Sequence, residues 1–169
     1  MDVDRLRQEL ASGAQVIPAL LAGVTPDEAR YKPDPDTWSI LEVLCHLYDE
    51  EREDFRQRLD LMLHRPAEPW PPIHPGAWVT ERGYNARDFA AMLDQWRAER
   101  ARSLDWLAGL TAPDWDREVT WPFGTMRAGD MLAAWVAHDN LHQRQLVELR
   151  RARLVRLAQP YAVEYAGDW

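Results

Sequence analysis

The sequence predicts an all-α fold, a four-helix bundle. Three observations carry this: four long segments with apolar residues at helical spacing, breaks rich in proline, glycine or aspartate between them, and no convincing run of alternating strand residues. Amphipathic helices of this length bury their stripes against one another, and sites in such bundles are built from side chains on facing helices. The 169 residues are expected to form one domain spanning 1–169.

The first helix is expected from about Val3 to Ala22, with Leu6, Leu10, Ile17, Leu20 and Leu21 near helical spacing. Pro18 predicts a kink or break inside it, and Gly23 with Thr25-Pro26-Asp27 ends it. The second helix, capped by Asp36 or Thr37, runs through Trp38, Leu41, Leu44, Leu47, Tyr48, Phe55, Leu59 and Met62 until Arg65-Pro66 stops it. Between helices two and three lies a long loop, Pro66 to Gly76, whose prolines exclude helix and central strand. A loop of this kind in a compact domain is often a lid or a binding loop. The third helix spans roughly Ala86 to Leu107, on the stripe Phe89, Met92, Leu93, Trp96, Leu104 and Leu107. Val119 to Phe123 reads as a short extended piece, and the fourth helix runs from about Ala128 to Arg153. A tail with Pro160, Tyr161, Tyr165 and Trp169 is aromatic enough to be expected to pack back on the body.

Composition excludes several function classes. A hydrophobic share of 46% with 28% charged residues is that of an ordinary globular protein. No stretch approaches the ~20 apolar residues of a membrane span. A net charge of −8 disfavours nucleic acid as a partner. The one basic cluster, Arg150, Arg151, Arg153 and Arg156, suits the C-terminal end of a helix, where cations are favoured. Cys45 is the only cysteine, which rules out an internal disulfide. The charged start, Met1 to Arg5, is followed by no apolar signal run, so a cytoplasmic location is expected.

The chemically distinctive segment is Ala137-His138-Asp139-Asn140-Leu141-His142-Gln143-Arg144-Gln145. Histidines four apart stack on one helix face, so both imidazoles can reach a single ion. His46, in the middle of the second helix, is available as a third ligand. Three neutral imidazoles suit zinc, nickel or ferrous iron and leave coordination positions open, the mark of a catalytic site. Taken singly, the pair also fits ordinary surface or buried polar histidines, and His46 a hydrogen-bonded core residue. His64 and His74 are expected to be solvated.

Trp38-Ser39-Ile40-Leu41-Glu42-Val43-Leu44-Cys45-His46-Leu47, His138 to Gln145 and the closing Ala166-Gly167-Asp168-Trp169 together resemble the DinB/YfiT-like superfamily of metalloenzymes. The resemblance spans the whole chain, including helix order and the spacing between the single histidine and the pair. It implies a four-helix bundle with one divalent metal held by His46, His138 and His142. It also implies a metal-dependent enzyme transferring a low-molecular-weight thiol, such as bacillithiol or mycothiol, to a small-molecule electrophile. A metal-dependent hydrolase on the same site, or a non-catalytic stress-response module with a stabilising metal, are the alternatives. A homodimer is in keeping with the family. A di-iron carboxylate site fits poorly, because Asp139-x-x-His142 is the only approximate match to its paired Glu-x-x-His motifs.

Around the ligands, Glu42 and Glu50 lie one turn either side of His46, and either can orient an imidazole or serve as a general base. Glu50 and Asp139 are the candidate catalytic residues, and Gln145 is a further candidate to orient a ligand. Glu51, Glu53 and Asp54 read as a solvated acidic face. Cys45 points about 100° away from His46 around the helix, which suits a buried small hydrophobe. Trp38, Tyr48, Trp121 and Trp135 are expected in the core. Trp70 and Trp78, in or beside the proline-rich loop, are candidates for aromatic substrate contacts.

Overall fold

The structure, a computed structural model, describes residues 2–121 and 124–167, with Trp121 described in its backbone alone. The expectations for the Trp121 side chain, Pro122, Phe123, Asp168 and Trp169 therefore lie outside the described residues.

Four long helical bodies make the bundle: α1 (Val3–Leu21), a rod of α3 (Ile40–Glu50), a π-helical turn (Glu51–Phe55) and α4 (Arg56–His64), then α6 (Phe89–Gly109) and α7 (Ala128–Ala158). Two short helices, α2 (Pro26–Arg30) and α5 (Pro75–Glu81), sit in the connections. A hairpin of β1 (Glu118–Trp121) and β2 (Gly124–Arg127) precedes α7, with Val119 opposite Met126. α1 packs on α6 and α7, and α3 on α6 and α7. No helix among the described residues is long and apolar enough to cross a membrane.

The expected helices are present with shifted ends. The rod starts later than Asp36 or Thr37 because Ser39 and Glu42 form a reciprocal capping box, satisfying two backbone N–H groups that the turn residues do not. Thr37 instead closes a turn, its Oγ1 donating to Asp34 O at 2.9 Å. Trp38 thus precedes the helix and stands at its mouth. Pro18 does not break α1: only three residues follow it, so little of the helix depends on the bond it removes. Gly23, with φ +75°, then turns the chain out of α1 in a conformation other residues resist. The tail departs from expectation, since Tyr161 and Tyr165 are exposed.

Two apolar clusters form the core. One gathers α3, the end of α1, α5 and Leu146 and Leu149 of α7. The other gathers α4, Leu107, Phe55 and the stretch of α7 up to Val136. The turn of α7 carrying His138 and His142 falls between them, opposite His46. A polar layer at mid-bundle is thereby enclosed by apolar packing above and below.

Candidate metal centre

His46 comes from α3, and His138 and His142 from successive turns of α7. The three rings converge through the same atom. His138 Nε2 lies 3.1 Å from His46 Nε2 and 3.1 Å from His142 Nε2. The candidate ligand atoms of all three residues lie within 4.8 Å of one another. Nitrogens each about 2.0–2.1 Å from one ion, at tetrahedral to octahedral angles, sit roughly 2.9–3.4 Å apart. The observed spacing is that of imidazoles aimed at a shared centre.

The protonation states agree. Burial, then the neighbouring His142, pushes His46 down to about 3. Burial and the other two imidazoles push His138 down to about 2. His142 is lowered too, again chiefly by burial. All three rings are neutral at physiological pH, the form that ligates a metal. Gln145 Oε1 lies 2.8 Å from His142 Nδ1 and accepts its proton, which leaves the Nε2 lone pair facing the centre. His46 Nδ1 is buried with no hydrogen-bond partner among the described residues.

Aromatic rings wall the cluster. Trp38 packs against His46 at 4.8 Å between centroids and lies parallel to His142 at 6.3 Å. Phe55 packs against His138 at 4.9 Å. Among the described residues no carboxylate or thiol joins the three imidazoles as a fourth ligand.

The candidate carboxylates separate sharply. Glu42 faces away: it accepts from Ser39 N at 2.8 Å and pairs with Lys32 at 3.0 Å. Asp139 is buried with both oxygens on Arg100, at 2.5 and 2.8 Å. A carboxylate so committed holds a helix in place and has no free oxygen to take a proton. Glu50 is buried, its Oε1 without a partner. Burial, then the charge of Asp54, pushes its carboxyl up to about 8, so it carries a proton near neutrality.

The solvated acidic face expected at Glu51, Glu53 and Asp54 is not found: Glu53 itself is half-buried and accepts from Arg82 at 3.0 and 2.8 Å. Glu51 is 1% exposed, bound to Arg100 and to the indole N–H of Trp135 at 3.1 Å. Asp54 is buried beside Arg58 at 2.8 Å. Glu51 falls four residues after Leu47 and four before Phe55, on the apolar stripe of the rod, so its place is a core position despite the charged run around it. Trp78 is likewise buried, with Arg82 stacked over it at 3.8 Å. Trp70 is half-buried beneath Arg58 and lines a cavity of about 710 Å³ along the proline-rich loop. His64 and His74 are exposed.

Cys45 is buried, and desolvation pushes its thiol up to about 12. It should stay unmodified by a thiol-reactive chromogenic disulfide at pH 8 and react fully after denaturation. Rapid labelling of the native protein would contradict its enclosure.

The fold and site define a helical bundle with a three-histidine centre between facing helices. The chain belongs to the DinB superfamily, whose family model matches residues 9–146. Among solved structures it is similar to YfiT from Bacillus subtilis, described as a probable metal-dependent hydrolase with an unusual four-helix bundle topology. That likeness has a TM-score of 0.76 at 20% identity and covers 88% of this chain and 85% of YfiT. No curated protein matches the chain.

Proposed function

We propose that this chain is a divalent-metal-dependent enzyme that delivers a small nucleophile, a low-molecular-weight thiol, to an electrophile. The observation that carries the reading is the convergence of three neutral imidazoles with no fourth protein ligand among the described residues. Closed four-ligand sets belong to structural sites, three-ligand sets to catalytic ones. A divalent ion bound there lowers the pKa of a coordinated thiol or water, making it a nucleophile at neutral pH.

The chain's own residues do the rest. His46, His138 and His142 would hold the ion, and Gln145 fixes the tautomer of His142. Trp38 and Phe55 keep bulk water from the rings. Glu50, one turn beyond His46, exchanges the nucleophile's proton, for which a carboxyl titrating near neutrality is suited. Cys45 is enclosed, so the reacting thiol comes from a co-substrate. The hydrolytic reading keeps the same ligands and uses water; the description of YfiT favours it.

Elemental analysis combined with a panel of thiol–electrophile conjugations, run beside ester and amide hydrolysis without thiol, tests the reading. Turnover that needs both the ion and a thiol is expected. Hydrolysis without thiol would favour the second reading, and a metal-loaded protein inert on both panels would overturn both.

Glu50 also yields a pH prediction. Its carboxyl binds a proton more tightly in the folded protein, at about 8, than at the ordinary 4.5. Its stabilising contribution is therefore fully present below pH 4.5 and is lost as pH rises through 8. Glu50→Gln should flatten the fall in melting temperature between pH 4.5 and about 8, measured with chelator present. Parallel curves would show that Glu50 is not held protonated.

A further inference from the structure

We infer that Arg100 is the positioning residue of the metal centre: its guanidinium, clamped between Glu51 and Asp139, sets the separation of the helix carrying His46 from the helix carrying His138 and His142. The inference rests on the metal-binding reading above. Arg100 lies on α6, which supplies no ligand, and is 1% exposed.

All five of its N–H groups are used. Nε and Nη2 donate to Glu51 at 2.8 and 2.7 Å, Nη1 and Nη2 to Asp139 at 2.5 and 2.8 Å, and Nη1 to Leu10 O at 3.1 Å. Glu51 begins the π-helical turn five residues after His46, and Asp139 directly follows His138. One rigid planar group thus fixes both ligand-bearing segments at once. A shift of either carboxylate carries its histidine with it.

Gly13 makes the clamp possible from the α1 side. A Cβ there would fall well inside contact distance of Asp139 Oδ2 and 3.2 Å from Arg100 Nη1. The Asp139 oxygen is the end of a side chain, but two hydrogen bonds, one to each oxygen, hold the carboxylate, so relief means leaving Arg100. Lysine cannot replace the arginine: a point charge with three donors does not fork to two carboxylates.

Cobalt serves as the probe, added to chelator-stripped protein with affinity read by competition against a chromophoric chelator. Arg100→Lys and Gly13→Ala are each expected to raise the cobalt Kd about 10–100-fold, the range for losing support behind a ligand. Each should also alter the cobalt ligand-field spectrum. Leu59→Ala, a core truncation in α4, lowers the melting temperature but should keep the wild-type Kd and spectrum, separating positioning from general stability. Should neither Arg100→Lys nor Gly13→Ala fold, Glu51→Gln carries the same expectation. Folded variants with wild-type Kd and spectrum overturn the role of Arg100, as does a Leu59→Ala protein that weakens equally. Wild-type protein that binds no cobalt overturns the metal reading itself.

Discussion

Replacing His142 with alanine is expected to abolish stoichiometric metal in protein purified without chelator, as read by elemental analysis, while the helical circular dichroism persists. The three Nε2 atoms converge as the proposed ligand set, with no fourth protein ligand among the described residues. Losing one leaves two imidazoles, one on α3 and one on α7, and no third anchor. The loss should exceed the roughly 10–100-fold that removal of an outer partner brings, so Gln145→Leu, which frees only His142 Nδ1, should weaken binding less. The fold should survive because the apolar clusters lie on either side of the histidine layer. His142→Ala protein that keeps a full equivalent of metal would remove the basis for a three-histidine centre.

The helices were legible because their stripes repeat at helical spacing and proline or glycine marks their ends, and the ligands because two histidines four apart share a face. What lay behind the ligands was not legible, for a definite physical reason. Glu51 lies four residues from both Leu47 and Phe55, on the rod's apolar stripe. It sits, however, in the acidic run Asp49, Glu50, Glu51, Glu53 and Asp54, which reads as a solvated face and hides the π-helical turn within it. Nothing in Glu51-Arg52-Glu53-Asp54-Phe55 announces that turn. The place of Asp139 between His138 and His142 suggests a chemical role, but its partner sits thirty-nine positions away, on another helix.

A usable signal did exist. Arg100 continues the stripe of Phe89, Met92 and Trp96 toward Leu107, and Gly13 falls between Leu10 and Ile17 on the stripe of α1. An arginine and a glycine at core positions of two different helices call for a buried acid between them, in a space only a missing Cβ leaves open. Asp139 and Glu51 supply it.

That buried network gives the largest expected effect on stability. Arg100→Met leaves Glu51 and Asp139, 1% and 2% exposed, facing each other without a cation. Removing one partner of a buried ion pair costs about 3–5 kcal/mol. For a domain of this size each kcal/mol moves the melting temperature by about 2–4 °C, so a fall of roughly 6–20 °C is expected. The reason is the stranded charge more than lost packing, and the two causes can be told apart. Adding Glu51→Gln and Asp139→Asn to Arg100→Met removes the charges at nearly constant volume, and the amide introduced by Glu51→Gln still offers an oxygen to the Trp135 N–H. The triple variant should recover more than half of the lost melting temperature, since buried ion pairs replaced whole are often neutral for stability. Its metal affinity should not recover, because the rigid fork that spaces His46 from His138 and His142 is gone. A triple variant as unstable as Arg100→Met would assign the loss to packing around the guanidinium instead of to its charge.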